Sequence, residues 1–165
     1  MAILKTRQVA EIGIMGALTT IATMLFVFPI PATSGYFNLG DTIVIISSLT
    51  FGPVVGAIAG GLGSGLADLL GGWYNWVIFT TIIKGIEGYV AGYIVTRSNE
   101  RNFKTIILAW LIGGFLMVTG YFVVQVFMYG LGAALVEAPF NVVQMIASGV
   151  IGIPISQGLK SRLDI

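Results

Sequence analysis

Repeated apolar runs, each about as long as a bilayer is thick and joined by short polar segments, constrain this chain more than any other feature. A transmembrane helix needs about 20 mostly apolar residues, and the sequence supplies such runs from end to end. Only 9% of the residues are charged, 56% are hydrophobic, and the mean hydropathy is +0.97. A soluble domain carries roughly 25% charged residues. So few charges cannot cover a globule in water, and the solvent must be lipid. At 165 residues the chain is read as one all-α, polytopic membrane domain over 1–165.

The spans can be placed one by one. Val9 to Phe28 forms the first and ends at Pro29-Ile-Pro31. Ala32 to Gly40 is polar and glycine-bearing, so it reads as a loop. Asp41 stands at an N-cap position before the short run Thr42 to Phe51, which stops at Gly52-Pro53 and predicts a short or tilted second helix. Val54 to Leu70, closed by Gly71-Gly72, is the third span, and Trp76 to Val95 the fourth. Thr96 to Lys104 is strongly hydrophilic and must leave the membrane. Thr105 to Tyr129 is the fifth span and Pro139 to Leu159 the sixth, with Glu137 just outside it.

Six spans make sense of the charges. Lys and Arg favour the cytoplasmic side of a membrane. Lys5 and Arg7 precede the first span, Arg97, Arg101 and Lys104 lie between the fourth and fifth, and Lys160 and Arg162 follow the sixth. All three clusters fall on one face, which predicts a six-helix bundle in the cell membrane with both termini cytoplasmic. The start at Met1 shows no recognisable cleavage site, so the first span is not read as a removed signal peptide.

The composition also excludes chemistry. The chain has no Cys and no His, which removes disulfides, thiolate nucleophiles, imidazole metal ligands and His-dependent catalysis. No metal, cofactor or nucleic-acid partner is implied, and an enzyme built on Asp68, Lys84 and Glu87 is disfavoured. No GxxxxGK[ST] phosphate loop occurs, so uphill transport would need borrowed energy.

Small residues recur every fourth position: Gly52, Gly56 and Gly60, Ala57, Gly61 and Gly65, Gly13 and Ala17, and Gly88 and Gly92. Such spacing lets helix backbones approach closely in lipid. Packing within the bundle is the plain reading, and docking of another membrane protein is the sharper one. The first span is the better docking candidate, because the third span's glycines are expected to be used internally.

Intramembrane polar residues are costly and usually face an interior or a cavity. At 1.5 Å per residue, Lys84 lies about 12 Å and Glu87 about 16 Å into the fourth span, close enough to pair. Glu137, Asn141 and Gln144 form one stripe at i, i+4 and i+7, and Tyr121, Gln125 and Met128 share a face of the fifth span. Asp41 and Asp68 read as caps or interface anchors as readily as ligands. Trp73, Tyr74 and Trp76 suit either an aromatic belt or the wall of a pocket for a flat ring. The polar groups converge on the outer half of the bundle, with Ala32–Gly40 available as a lid.

At Asn38-Leu-Gly-Asp41, Phe51-Gly-Pro53, Gly65-Leu-Ala-Asp68-Leu-Leu-Gly71 and Ile83-Lys-Gly-Ile-Glu-Gly88, taken in order, the chain resembles the substrate-binding S components of energy-coupling factor (ECF) vitamin transporters. The subgroup is that of riboflavin, hydroxymethylpyrimidine and pyridoxine carriers. The resemblance implies capture of a vitamin near the outer surface, between the first loop and the later helices. It implies association with a membrane coupling protein and two cytoplasmic ATPases, and toppling of the S component to carry the site inward. The expected ligand set is Lys84, Glu87, Gln125, Glu137, Asn141 and Gln144, with Trp73, Tyr74 or Trp76 on a ring and Asn38 from the first loop. Docking through small residues of the first helix maps to Gly13 and Ala17, with Gly16 and Thr20 alongside. Hydroxymethylpyrimidine or pyridoxine is the expected substrate, with riboflavin next. The rival reading is a stand-alone ion-coupled transporter working through Glu87.

Overall fold

The computed structural model describes residues 5–98 and 101–163. Asn99 and Glu100, within the hydrophilic Thr96–Lys104 stretch, lie outside the described residues, as do both ends of the 1–165 domain. The described residues form six helices and one small hairpin: α1 (Thr6–Leu25), β1 (Phe28–Ile30), β2 (Gly35–Phe37), α2 (Gly40–Phe51), α3 (Pro53–Gly71), α4 (Val77–Arg97), α5 (Phe103–Tyr129) and α6 (Leu131–Leu163). Five of the helices are long and apolar enough to cross a membrane. The sixth, α2, has 12 residues and reaches about 18 Å. Every residue of α2 except Ile43 and Phe51 is buried. It runs through the middle of the bundle, packed by α1, α3, α4 and α6.

Glycine decides how the helices approach. A Cβ on Gly56 would lie 2.7 Å from the Gly88 carbonyl oxygen, and one on Gly61 2.7 Å from that of Thr81. The α3–α4 crossing is therefore backbone against backbone, which only glycine permits. The α1–α3 crossing works similarly: a Cβ on Gly63 would meet the Gly16 carbonyl oxygen at 2.6 Å. Thr20 there donates to Gly63 O at 2.8 Å. The third span's small residues are thus used internally, as their spacing suggests.

Several boundaries differ from the sequence reading, and those near the hairpin bear on the site. Helix α1 stops at Leu25 rather than Phe28, and Ala32–Gly40 is partly an antiparallel hairpin in which Phe28 faces Phe37 and Ile30 faces Gly35. The residue before a proline is pushed out of the helical region, so Phe28, preceding Pro29, takes the strand. Helix α6 begins at Leu131, eight residues before Pro139, and Glu137 sits inside it. The segment Leu131–Ala138 is rich in good helix formers, and a proline within a membrane helix is tolerated where neighbours compensate. Asp41 is not the cap of α2: Asn38 Oδ1 accepts from Gly40 N at 2.8 Å, a short Asn-to-backbone turn, and Asp41 turns inward.

Candidate functional site

The hairpin, the α3–α4 turn and the α5–α6 turn meet at one end of the bundle. Tyr36 packs on Trp73 with ring centroids 4.3 Å apart, and Trp76 stacks on Tyr129 at 6.1 Å. Beneath the hairpin lies a cavity of about 20 Å³, room for about one water molecule. Every element at this end except α2 contributes to its wall. The hairpin segment gives Gly35, Tyr36 and Asn38, α1 gives Thr23, and α3 gives Ser64 and Asp68. Trp76, Thr80 and Lys84 come from α4 and its N-cap, Tyr121 from α5, and Glu137, Asn141 and Gln144 from α6. Helical spacing explains the set, because residues three and four apart share a face. Ser64–Asp68, Trp76–Thr80–Lys84 and Glu137–Asn141–Gln144 are three such stripes.

A hydrogen-bond chain ties the hairpin to the charges below. Gln144 Oε1 accepts from Asn38 N at 2.8 Å, and Gln144 Nε2 donates to Asp41 Oδ2 at 2.8 Å. Asp41 also binds Lys84 Nζ, and Glu87 Oε2 lies 3.5 Å from the same ammonium. All three ionic residues are buried. The Lys84 ammonium also stands 5.2 Å from the Tyr121 ring centroid, within cation–π range. On the other side of the cavity the Tyr36 hydroxyl donates to Asp68 Oδ1 at 2.5 Å. Burial first, then the Asp68 carboxylate, raises the Tyr36 phenol above its ordinary pKa, so it remains a donor.

Several wall groups have no protein partner: Thr23 Oγ1, Asp68 Oδ2, Trp76 Nε1, Glu137 Oε2 and Asn141 Nδ2. A buried polar group without a partner costs roughly 1–3 kcal/mol, and buried polar groups are ordinarily satisfied. Five gathered on one cavity wall form a set of donors and acceptors that suits a small polar molecule.

Of the residues expected from sequence, Lys84, Glu137, Asn141, Gln144, Trp76 and Asn38 come together on this wall. Glu87 is fully buried behind Lys84, and Gln125 is fully buried off the wall; neither side chain has a hydrogen-bond partner. Trp73 and Tyr74 instead line a wider groove of about 330 Å³ outside the hairpin, with Pro29, Asn75 and Tyr129. That groove shares Gly35 and Trp76 with the inner cavity. Lys84 does approach Glu87, but its first partner is Asp41, 43 positions away. The sequence reading missed Thr23, Gly35, Tyr36, Ser64 and Thr80, and it left Asp68 and Tyr121 unassigned. The i, i+4 partners of Asp68 and Lys84 could have flagged Ser64 and Thr80. On α1, Gly13 and Ala17 are exposed to the surroundings, whereas Thr20 is buried against α3 and Gly16 lies 3.8 Å from Ala59 Cα. Gly16 and Thr20 therefore pack against α3, and of the four candidates Gly13 and Ala17 are the exposed ones.

The family described as "ECF-type riboflavin transporter, S component" matches residues 3–161. The chain belongs to this family of ECF-type S components. It is 36% identical over 146 residues to the thiamine precursor transporter HmpT of Lactococcus lactis subsp. cremoris, covering 88% of this chain and 82% of that one. It is 40% identical over 144 residues to an uncharacterized protein of Pyrococcus woesei, covering 87% of this chain and 95% of that one. The fold is that of a solved S component of a bacterial ECF transporter, with a TM-score of 0.76 at 20% identity, covering 98% of this chain and all of the other. This S component is a multi-pass membrane protein that binds a vitamin and works with ECF transporter partners. Family and fold are those of a transporter subunit rather than an enzyme.

Proposed function

We propose that this S component, as one substrate-binding domain, captures a single-ring vitamin or vitamin precursor in the cavity beneath the hairpin. Hydroxymethylpyrimidine or pyridoxine stands ahead of riboflavin. The observation that carries this reading is the group of five unpartnered polar atoms on one buried wall. A ligand that satisfies them relieves a cost the protein bears by itself. With the hairpin shut the inner space holds about one water molecule, so a ring enters only as the hairpin moves outward, and the likeness to the thiamine precursor transporter favours a single ring.

In this reading the hairpin is a lid. Its displacement joins the inner cavity to the aromatic groove through Gly35 and Trp76, and its return seals the ligand under Tyr36. The hairpin end faces outside and the basic end, with Arg97, Arg101, Lys104, Lys160 and Arg162, faces the cytoplasm together with both termini. The exposed Gly13–Ala17 face of α1 docks the membrane coupling protein, which two cytoplasmic ATPases energise. Membership of the S-component family favours this over a stand-alone ion-coupled carrier.

The test is a titration of the purified protein with hydroxymethylpyrimidine, pyridoxine, riboflavin and thiamine, followed by tryptophan fluorescence and confirmed by calorimetry. Trp73 and Trp76 flank the lid and report on it. One-to-one binding of a single-ring compound, weakened in Asn141→Ala, is the expected result. Well-folded protein that binds none of the four would overturn the reading.

A further inference from the structure

We infer that Glu137 is the specificity residue of this site. Its free carboxylate oxygen accepts a hydrogen from an amino group on the ligand ring, so the site selects uncharged or cationic amino-heterocycles and rejects phosphorylated and other anionic forms. This deepens the proposed function and rests on it.

The first argument is the supply of donors and acceptors. Glu137 is 3% exposed, and its Oε2 has no partner. The hairpin lies directly on it: a Cβ at Gly35 would come within 2.9 Å of Oε1 and 3.0 Å of Oε2. Glycine is thus the residue that lets the lid close over this carboxylate, and the lid supplies it with no donor. An ionised carboxylate only accepts, so its partner must be a donor on the ligand. One helical turn further along α6, Asn141 presents an unpartnered Nδ2, which only donates and requires an acceptor. Side chains four apart on a helix are neighbours. The ligand edge that meets them therefore carries a donor beside an acceptor. An exocyclic amino group next to a ring nitrogen is such an edge. The Trp76 Nε1–H, also unpartnered, calls for a further acceptor on the ring.

The second argument is charge. Asp68, Glu137 and Lys84 are the ionic side chains on the wall. Lys84 is already held by Asp41, with Glu87 3.5 Å away. Two carboxylates face the cavity and no uncommitted cation does. A phosphate or carboxylate on the ligand would be buried against carboxyl groups with no free cation to pair it, and a buried charge without a partner is costly. An amino group, or a ring nitrogen carrying a proton, meets attraction.

The test uses matched probes that differ at one ring position. 4-Amino-5-hydroxymethyl-2-methylpyrimidine is compared with its 4-oxo counterpart, which reverses the donor and acceptor on that edge, and with its phosphate ester. Wild-type protein is expected to bind the amino compound at least 100-fold more tightly than either. Glu137→Gln, of the same shape but able to donate, is expected to shrink the amino-to-oxo ratio at least tenfold. A merely structural role would weaken both compounds alike and leave that ratio unchanged. Equal affinity for the amino and oxo compounds, or tight binding of the phosphate ester, overturns the inference while leaving vitamin capture intact. Should the variant not fold, the wild-type ratio alone decides. Failure of the wild type to bind any pyrimidine, pyridine or flavin probe overturns both readings.

Discussion

The hairpin, a lid in the proposed reading, is held through Tyr36 in the middle of β2 by two contacts that one substitution can separate. Tyr36 lays its ring on Trp73 and donates its hydroxyl to Asp68 Oδ1 at 2.5 Å. Tyr36→Phe keeps the ring contact, worth about 0.5–1.5 kcal/mol, and removes the hydrogen bond. A hydrogen bond to a charged group contributes about 1.5–3 kcal/mol. Once Phe is in place, Asp68 Oδ1 loses its Tyr36 donor whenever the hairpin is shut. Water can serve Asp68 only when the lid is open. The loss therefore falls on the closed, ligand-retaining form, and at about 1.4 kcal/mol per factor of ten the dissociation rate should rise roughly 10- to 100-fold. Entry, which requires an open lid, should change little.

The assay is stopped-flow tryptophan fluorescence with hydroxymethylpyrimidine, separating association from release in wild type and variant. The pH dependence sharpens it. Burial and Asp68 raise the Tyr36 phenol above its ordinary value of 10, so the fold favours the protonated form. A raised pKa contributes stability that is complete below the ordinary value and lost only as pH climbs through the raised one. The wild-type advantage over Tyr36→Phe should therefore be flat from about pH 6 to pH 9. A variant whose melting temperature falls while its release rate stays within twofold of wild type would refute the argument, since Tyr36 would then hold the fold and not the lid.

Three other outcomes follow from the packing. Lys84→Met leaves Asp41 and Glu87 buried without their cation, and breaking a buried pair costs about 3–5 kcal/mol; thermal melting should drop sharply and recover in large part in Asp41→Asn/Lys84→Met. Gly56→Ala drives a methyl against the Gly88 carbonyl, and overpacking costs about 1–3 kcal/mol, whereas Gly158→Ala, with nothing within 4 Å, should melt like wild type. Ala17→Leu on the exposed face of α1 should leave fold and ligand affinity unchanged yet abolish ATP-driven uptake by the reconstituted transporter, and normal uptake would remove that face as the docking surface.

What the sequence revealed and what it hid divide along a physical line. Properties carried by a single helix were legible: the apolar spans, the Glu137–Asn141–Gln144 stripe, and the internal use of the α3 glycines all follow from period and side-chain size. Properties created by assembly were not. Asp41 looked like a cap because its local position allows one, and only the approach of α4 shows that its partner is Lys84. Thr80 and Ser64 drew no notice, because hydroxyls in membrane helices commonly bond to their own backbone, and only the converging walls set these two beside a cavity. Pro139 looked like a helix start by the usual rule; the preceding Leu131–Ala138 segment prevails and extends the helix outward, which is what brings Glu137 under the lid.

The same division explains how so hydrophobic a chain keeps so many polar groups inside it. Lys84, Glu87, Asp41, Gln125 and Glu137 are all buried, and in a lipid solvent each would be prohibitive alone. Close glycine-mediated crossings hold α3 against α1 and α4 largely by backbone contact, and the buried ionic side chains gather toward the hairpin end. There Asp41 neutralises Lys84 and Gln144 ties Asp41 to the first loop, while the outermost groups, Glu137, Asn141, Asp68 and Trp76, are left unfinished. Helix α1 shows the separation most plainly. Its inward side carries Thr20, bonded to α3, and Thr23, on the cavity wall, while Gly13 and Ala17 are exposed on its outward side. Thr23 and Ala17 are six residues apart, about 9 Å along one rigid helix. A body so built presents ligand groups to its interior and a smooth face to its neighbours, which is what a capture subunit requires if the work of transport is done by other chains.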